Sequence, residues 1–317
     1  MKRQKHVQET YRISSLVQTM LSLSIFLLSL ARLGEAQTEG PRQHALKPFH
    51  LIGNIYYVGL SNNTSFLITT PQGHILLDPT EEAFVPDISR NIEQLGFHVK
   101  DIKIILNAHA HTDHVGGLAA FKELTGAKVL VMAADAPVIA DGGRSDFRSD
   151  GKEQWKLIKA DQILHDGEQV RLGNATMVAR LTPGHTKGCT TWTTVAEENG
   201  QKYNVVFVCS MGLGGGVPLI GNKKYPTVAE DYVKSFNLLR SLPCDVFSVS
   251  HAGMFNLDGK MKRMEQGTGP NPFIDPDGYR AFIDLYEGYF KDELKKQQDG
   301  APPTISPPGR TGGSRAN

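Results

Sequence analysis

His109-Ala-His111-Thr-Asp113-His114 constrains this chain more than any other stretch. Three imidazoles and a carboxylate fall within six residues, directly after the apolar run Ile102–Leu106. That run reads as a short buried strand. The cluster therefore stands where a strand ends, and loops at strand ends are where sites are built. Two more histidines recur in the same setting: His185 after Arg180-Leu181-Thr-Pro-Gly, and His251 after Phe247-Ser-Val-Ser. Five histidines and one aspartate can then converge on a single edge of the fold.

Neutral imidazole and carboxylate are the usual zinc ligands of hydrolytic sites. Six ligands are too many for one tetrahedral ion that keeps an open position. They divide into two sets of three, which points to two Zn2+ ions per chain. Two ions about 3.5–4 Å apart can share a hydroxide and clamp both ends of a breaking bond. His6, His44, His50, His74, His98 and His165 lack this context and read as ordinary residues, with His74 and His165 on turns.

The pattern His-x-His-x-Asp-His, then Gly184-His-Thr186, then a last strand-end histidine, resembles the metallo-β-lactamase superfamily. Asn54–Gly59, Thr64–Gly73, Gly184–Trp192, Leu242–Phe247 and Ser250–Phe255 narrow the resemblance to subclass B3 metallo-β-lactamases. It runs from about Phe49 to about Gln298. It implies an α/β (α+β) fold, an αββα sandwich with the metals at one edge. It also implies that His109, His111 and His185 hold one zinc, and that Asp113, His114 and His251 hold the other. The implied activity is hydrolysis of the β-lactam amide bond by a metal-bridging hydroxide. Asp113 orients that hydroxide, and Ser210 orients the attacking water or the substrate carboxylate. Some relatives carry a second serine where this chain has Gly212, Thr112 replaces a common aromatic, and Pro79-Thr80 replaces a frequent Thr-Gly. Tyr279 stands where many relatives have a cysteine that bridges to the position of Cys244.

Three boundaries follow from composition. Residues 1–36 carry Lys2, Arg3, Lys5 and Arg12, then the mostly apolar Leu16–Leu30, then Gly34-Glu-Ala36. This is the pattern of a secretory signal. The run is short and polar for a span, which takes about 20 apolar residues. A periplasmic protein with no membrane anchor after cleavage is expected. Residues 37–300 can form one domain, and 301–317, rich in Pro, Gly and Ser, read as a disordered tail. Lysines plus arginines (34) nearly match aspartates plus glutamates (33), so nucleic acid has no electrostatic support as a partner. A small β-lactam is the expected partner, and a monomer the expected state.

Cys189–Val195 and Tyr203–Cys209 read as strands, with Glu198–Gln201 as the turn between them. Folding the hairpin about residue 199 sets Cys189 opposite Cys209 and Trp192 opposite Val206. Directly opposed Cβ atoms lie about 4.5–5.5 Å apart, near bridging range. A Cys189–Cys209 disulfide is therefore expected, with Cys244 reduced and buried. Other metallo-β-lactamases use a cysteine as a zinc ligand near Cys209, but they lack a histidine where this chain has His114.

Further strands are expected at Ile55–Val58, Ser65–Thr69, His74–Leu77, Lys103–Leu106, Lys128–Met132, Met177–Leu181 and Val246–Val249. Helices are expected after Pro86 (Ile88, Ile92 and Leu95 inward), over Leu118–Leu124, and over Pro226–Leu242 (Ala229, Val233 and Phe236, with Leu239 or Arg240, inward). A last helix is expected over Asp277–Lys296, with Tyr279, Phe282, Tyr286, Tyr289 and Phe290 along one face. The polar segment Asp141–Trp155 reads as a mobile loop, in which Phe147 and Trp155 are either plain packing residues or, as the resemblance implies for apolar lid residues, cover substrate. Lys223 and Lys224 read as solvated surface lysines, with attraction of the substrate carboxylate as the alternative. Another two-zinc hydrolase, a lactonase or a glyoxalase II-like thioesterase, is the nearest alternative. Those place a metal-bridging aspartate where this chain reads Val208-Cys-Ser210.

Overall fold

Among the described residues, twelve strands in two sheets make the frame. The first sheet runs in chain order through β1 (Phe49–Ile52), β2 (Ile55–Tyr57), β3 (Phe66–Thr70), β4 (Gly73–Leu77), β5 (Ile102–Leu106), β6 (Lys128–Met132) and β7 (Gln162–Leu164). The second contains β8 (Gln169–Leu172), β9 (Ala175–Leu181), β10 (Thr190–Glu198), β11 (Gln201–Val208) and β12 (Val246–Val249), in the order β12-β11-β10-β9-β8. The computed structural model describes residues 43–149, 151–267 and 269–304. The expected signal (1–36) lies outside them, as do residues 305–317 of the expected tail.

Alternation along the strands explains the layers. In β3 and β4, Phe66, Ile68, Ile75 and Leu77 enter one core, while Leu67 and Leu76 enter another. In β6, Leu130 and Met132 face the first core, and Val129 and Val131 the second. Successive side chains point to opposite faces, so strands apolar at every position must be covered on both sides. Ile88 and Ile92 of the helix Val85–Gln94, with Leu118 and Phe121 of the helix Leu118–Thr125, cover one face of the first sheet. The second sheet covers the other, with Phe66 against Phe207 at 4.8 Å between ring centroids. Helices Val228–Ser241 and Pro276–Gln298 complete the second sheet's outer layer, where Phe247 of β12 meets Tyr279 and Phe282. This is the αββα sandwich.

Within each sheet an antiparallel meander passes into parallel pairing, at β4–β5 in the first and β11–β12 in the second. Parallel strands end on the same edge. β5 therefore delivers the His109–His114 loop, and β12 delivers His251, to the edge reached by the end of β9 and His185.

Several details differ from expectation. The hairpin pairs Trp192 with Phe207 and Glu198 with Gln201, one residue out from the expected register. Its turn is the two-residue Asn199-Gly200, both at positive φ (53° and 78°), which suits the twist of paired strands better than a turn centred on one residue. The Cys189–Cys209 disulfide still forms, diagonally, with a Cα–Cα distance of 5.8 Å. Cys244 is free but half-buried, not buried. His74 lies within β4 and is buried, not on a turn. The inward face of Val228–Ser241 is Val228, Tyr232, Phe236 and Leu239, and Val233 is exposed. Tyr289 of the last helix is likewise exposed, while Ile283 takes an inward place. Trp155 is packed into the core under the first sheet's helices and donates Nε1–H to the Ile139 carbonyl at 3.3 Å, so it does not serve as a lid. Phe147 rests edge-on against Tyr225. The chain expected to leave the fold at Ala301 is still tied at Thr304, whose N–H donates to Glu293 at 2.8 Å.

Candidate metal centre

The six strand-end residues share one neighbourhood. Ring centroids lie 4.8 Å apart for His109 and His111, 4.6 Å for His109 and His185, and 4.8 Å for His111 and His185. One ligand atom from each of these three imidazoles falls within 4.8 Å of the others, and the same holds for His109, Asp113 and His114. Asp113 Oδ2 sits 3.3 Å from His114 Nε2 and 3.6 Å from His251 Nε2. His251 reaches this group through Asp113 and through a ring distance of 5.0 Å to His114.

Local geometry explains how each group is presented. His111 precedes a short helix, Thr112–Val115, which turns Asp113 and His114 back towards His109. His185 follows Gly184 (φ 136°), where an added Cβ would come within 2.8 Å of the Tyr232 ring. Only glycine lets that loop lie so close to the helix beneath it. His185 Nδ1 lies 2.7 Å from the Gly212 carbonyl. A carbonyl only accepts, so Nδ1 carries the hydrogen and Nε2 offers its lone pair. Ser210 is buried, and its hydroxyl accepts from Gly212 N–H at 3.4 Å, closing the turn that presents this carbonyl. The resemblance implied a role towards water or substrate; the observed contact is to the backbone.

Three supporting residues were not singled out from the sequence. Asp78, just past β4 and at φ 57°, accepts from Ala108 N–H at 2.6 Å and places its other oxygen 3.3 Å from His114 Nδ1. Asp135 accepts from Ala110 N–H (3.0 Å), Thr186 Oγ1 (2.8 Å) and Gly188 N–H (2.7 Å), tying the His109–His114 loop to the His185 loop. Asn63 Nδ2 donates to Asp113 Oδ2 at 2.8 Å, and its backbone bridges His251. Asp78 carried a readable signal, since it too ends a buried apolar run. Asp135 likewise follows the apolar run Lys128–Met132, whereas Asn63 lies in a segment with no such mark.

Electrostatics matches a cation site. Burial, and then the neighbouring imidazoles, hold His109 well below the usual histidine range. Burial and the Arg148 charge hold His185 well below it and bring His111 to about 3. Burial and His114 bring His251 to about 4. All four are neutral at pH 7 with lone pairs available, the state that ligation requires. Burial also pulls His114 down, but Asp113 and Asp78 outweigh it and raise this imidazole to about 10. Asp113, which burial would raise, is held well below the carboxylate range by His114, His251 and Asn63. A proton drawn so strongly onto His114 marks a place where the carboxylates demand positive charge.

The donor set fits zinc by an independent mark. His109 Nε2 and both ring nitrogens of His114 are buried without a hydrogen bond of good geometry. An atom such as His109 Nε2, with no partner at all, costs about 1–3 kcal/mol when left unpaired. Imidazole and carboxylate donors converging around orphaned nitrogens suit a borderline cation.

The chain is similar to known proteins along most of its fold. The metallo-beta-lactamase superfamily profile matches residues 58–251. The native FEZ-1 metallo-beta-lactamase from Legionella gormanii is similar, with 44% identity, a TM-score of 0.79, and coverage of 82% of this chain and 99% of that one. The class B3 di-zinc metallo-beta-lactamase LRA-12 from an Alaskan soil metagenome is 32% identical, with a TM-score of 0.74, covering 82% and 97%. The hydroxyacylglutathione hydrolase of Cereibacter sphaeroides is 31% identical over 129 residues, 41% of this chain and 42% of that protein. The chain spans less than half the length of that curated relative. A profile match across most of the fold, a relative covered almost end to end and a zinc-type donor set lead to one conclusion: the chain belongs to the metallo-beta-lactamase superfamily.

Proposed function

We propose that this protein is an exported zinc β-lactamase that opens the β-lactam amide by hydrolysis. The observation that carries the reading is the convergence of His109, His111 and His185 around an orphaned His109 Nε2, beside Asp113 and His114. In this reading His109, His111 and His185 hold one zinc, and Asp113, His114 and His251 hold a second. Zinc in such sites supplies a Lewis acid and brings bound water to a pKa of about 7.

The chain's own residues do the rest. Three neutral imidazoles leave the first ion its full charge. Asp113, fixed by Asn63, accepts a hydrogen bond from the attacking water and aims it at the substrate carbonyl. Ser210 acts as a positioning residue, holding the Gly212 carbonyl that fixes the His185 tautomer. No serine nucleophile is needed, and Ser210 is buried at 1% exposure.

Thioester or lactone hydrolysis is the second reading, kept because of the hydroxyacylglutathione hydrolase similarity. The strand end Val208-Cys209-Ser210 weighs against it, because it carries no bridging carboxylate and Cys209 is spent in a disulfide. That disulfide also supports export, since such bridges persist in oxidising compartments. Among the described residues no helix is long and apolar enough to cross a membrane. A periplasmic monomer is the proposed state.

The test is an assay of purified protein on penicillins, cephalosporins and carbapenems, alongside a lactone and a thioester, with metal analysis before and after chelation. β-Lactam turnover lost on chelation and restored by zinc, at two zinc ions per chain, is expected. Turnover of the lactone or thioester alone would replace this reading with the second.

A further inference from the structure

Among the described residues, Arg148 is a cation with no carboxylate partner beside the proposed first zinc ligands. Arg148 belongs to the loop after the helix Ala136–Ala140 and is half-buried. Its Nη2 lies 3.5 Å from His185 Nδ1, but that nitrogen already donates to Gly212, so two donors face each other. The guanidinium donates to the Leu213 carbonyl at 3.3 Å, while its Nε is buried without a partner. Asp146, the carboxylate nearest in sequence, accepts from the Arg148 backbone N–H at 2.8 Å. Among the described residues no carboxylate lies at ion-pair distance from the guanidinium.

The surroundings hold Arg148 in place. Its guanidinium carbon sits 5.1 Å from the centroid of the Phe147 ring. A Cβ at Gly214 would fall 2.5 Å from Arg148 Nη1, so the glycine loop leaves the space the guanidinium fills. Two more cations stand around Asp146: Lys187, over the Tyr225 ring at 5.4 Å, and Lys224, which donates to the Ser149 carbonyl at 3.2 Å. Lys187 and Lys224 thus stand near Asp146, whose carboxylate already accepts from the Arg148 backbone rather than from its guanidinium.

A fixed cation beside a cation-binding centre is unfavourable unless an anion joins them. A guanidinium offers paired N–H donors matched to a carboxylate. We propose that Arg148 anchors the substrate's carboxylate and makes this enzyme selective for anionic substrates. The inference rests on the β-lactam reading, since these antibiotics carry an ionised carboxylate beside the ring nitrogen. It extends to any carboxylate-bearing substrate of the same site.

The test compares zinc-loaded wild type, R148K and R148Q on benzylpenicillin and its methyl ester. R148Q should lower the acid-to-ester ratio of kcat/KM by about tenfold, mostly through KM for the acid, with R148K between the two. Equal loss on acid and ester, or no change in the ratio, would overturn the anchor. Absence of wild-type turnover on both compounds would count against the β-lactam reading instead. The anchor is then decided by calorimetric titration with hydrolysed benzylpenicillin. A Kd about tenfold weaker in R148Q supports it, and equal Kd values reject it.

Discussion

Asp78 and His114 meet at 3.3 Å, carboxylate oxygen to Nδ1, with both side chains buried. The other Asp78 oxygen holds Ala108 N–H, so one carboxylate sets both a ring and the backbone leading into His109. Carboxylates in this relation to a ligand histidine fix its orientation and raise its basicity. Asp78→Asn should weaken zinc binding about 10–100-fold in chelator competition. Asp78→Ala should in addition cost about 1–3 kcal/mol in the unfolding free energy, because Ala108 N–H loses its acceptor. Unchanged zinc affinity in both variants would remove Asp78 from the site.

Asn63 fixes Asp113 through both its carboxylate (2.8 Å) and its carbonyl (3.1 Å). Asn63→Ala should reduce kcat/KM by about tenfold or more and weaken the second zinc proposed at Asp113, His114 and His251. Stepwise metal titration followed by rate measurement reads both effects. A variant with wild-type kcat/KM and both zinc ions bound would show that Asp113 needs no such support.

The metal-free protein should be most stable near neutrality. His111 at about 3 and His251 at about 4 refuse protons that the unfolded chain takes up near 6.5. Their contribution is complete above pH 6.5 and declines as pH falls from there towards 4. His114 behaves oppositely: raised to about 10, it stabilises fully below its unfolded value of 6.5 and loses that contribution as pH rises through about 10. Calorimetric scans of chelated protein between pH 4 and 10 should show Tm falling on both sides. A Tm that held steady from pH 6.5 down to 4 would contradict the buried neutral imidazoles.

The Cys189–Cys209 bridge closes a separation of 20 residues and lies against the site, with Cys209 Sγ 3.6 Å from His109 Nδ1. A loop of this size gains about 3 kcal/mol from its cross-link. A C189A/C209A protein should show a correspondingly lower denaturation midpoint, read by urea titration monitored at Trp192. Both sulfurs are fully buried, so reductant should act on the native protein only after unfolding.

Sequence carried the site further than it carried the frame. The histidine clusters stand at the ends of continuous apolar runs, and both features are local, so they could be read without long-range information. The hairpin register depended on whether its turn held one residue or two, and that choice moved every partner by one position. The helix Val228–Ser241 went astray by one residue because Tyr232 reads as polar while its ring is buried against Phe290. Trp155 looked available because its loop is polar, yet the indole fills a gap against Gly143. Asn63 has no local pattern at all, since its partners Asp113 and His251 lie many residues away.

One connection reaches beyond any single ligand. Asn63 pairs its backbone with His251 and grips Asp113 with its amide, so the turn that bears it works as a common lever on two of the proposed metal ligands. Substitutions in that turn will shift both together, and natural drift there can retune the whole Asp113 side of the cluster without touching a ligand.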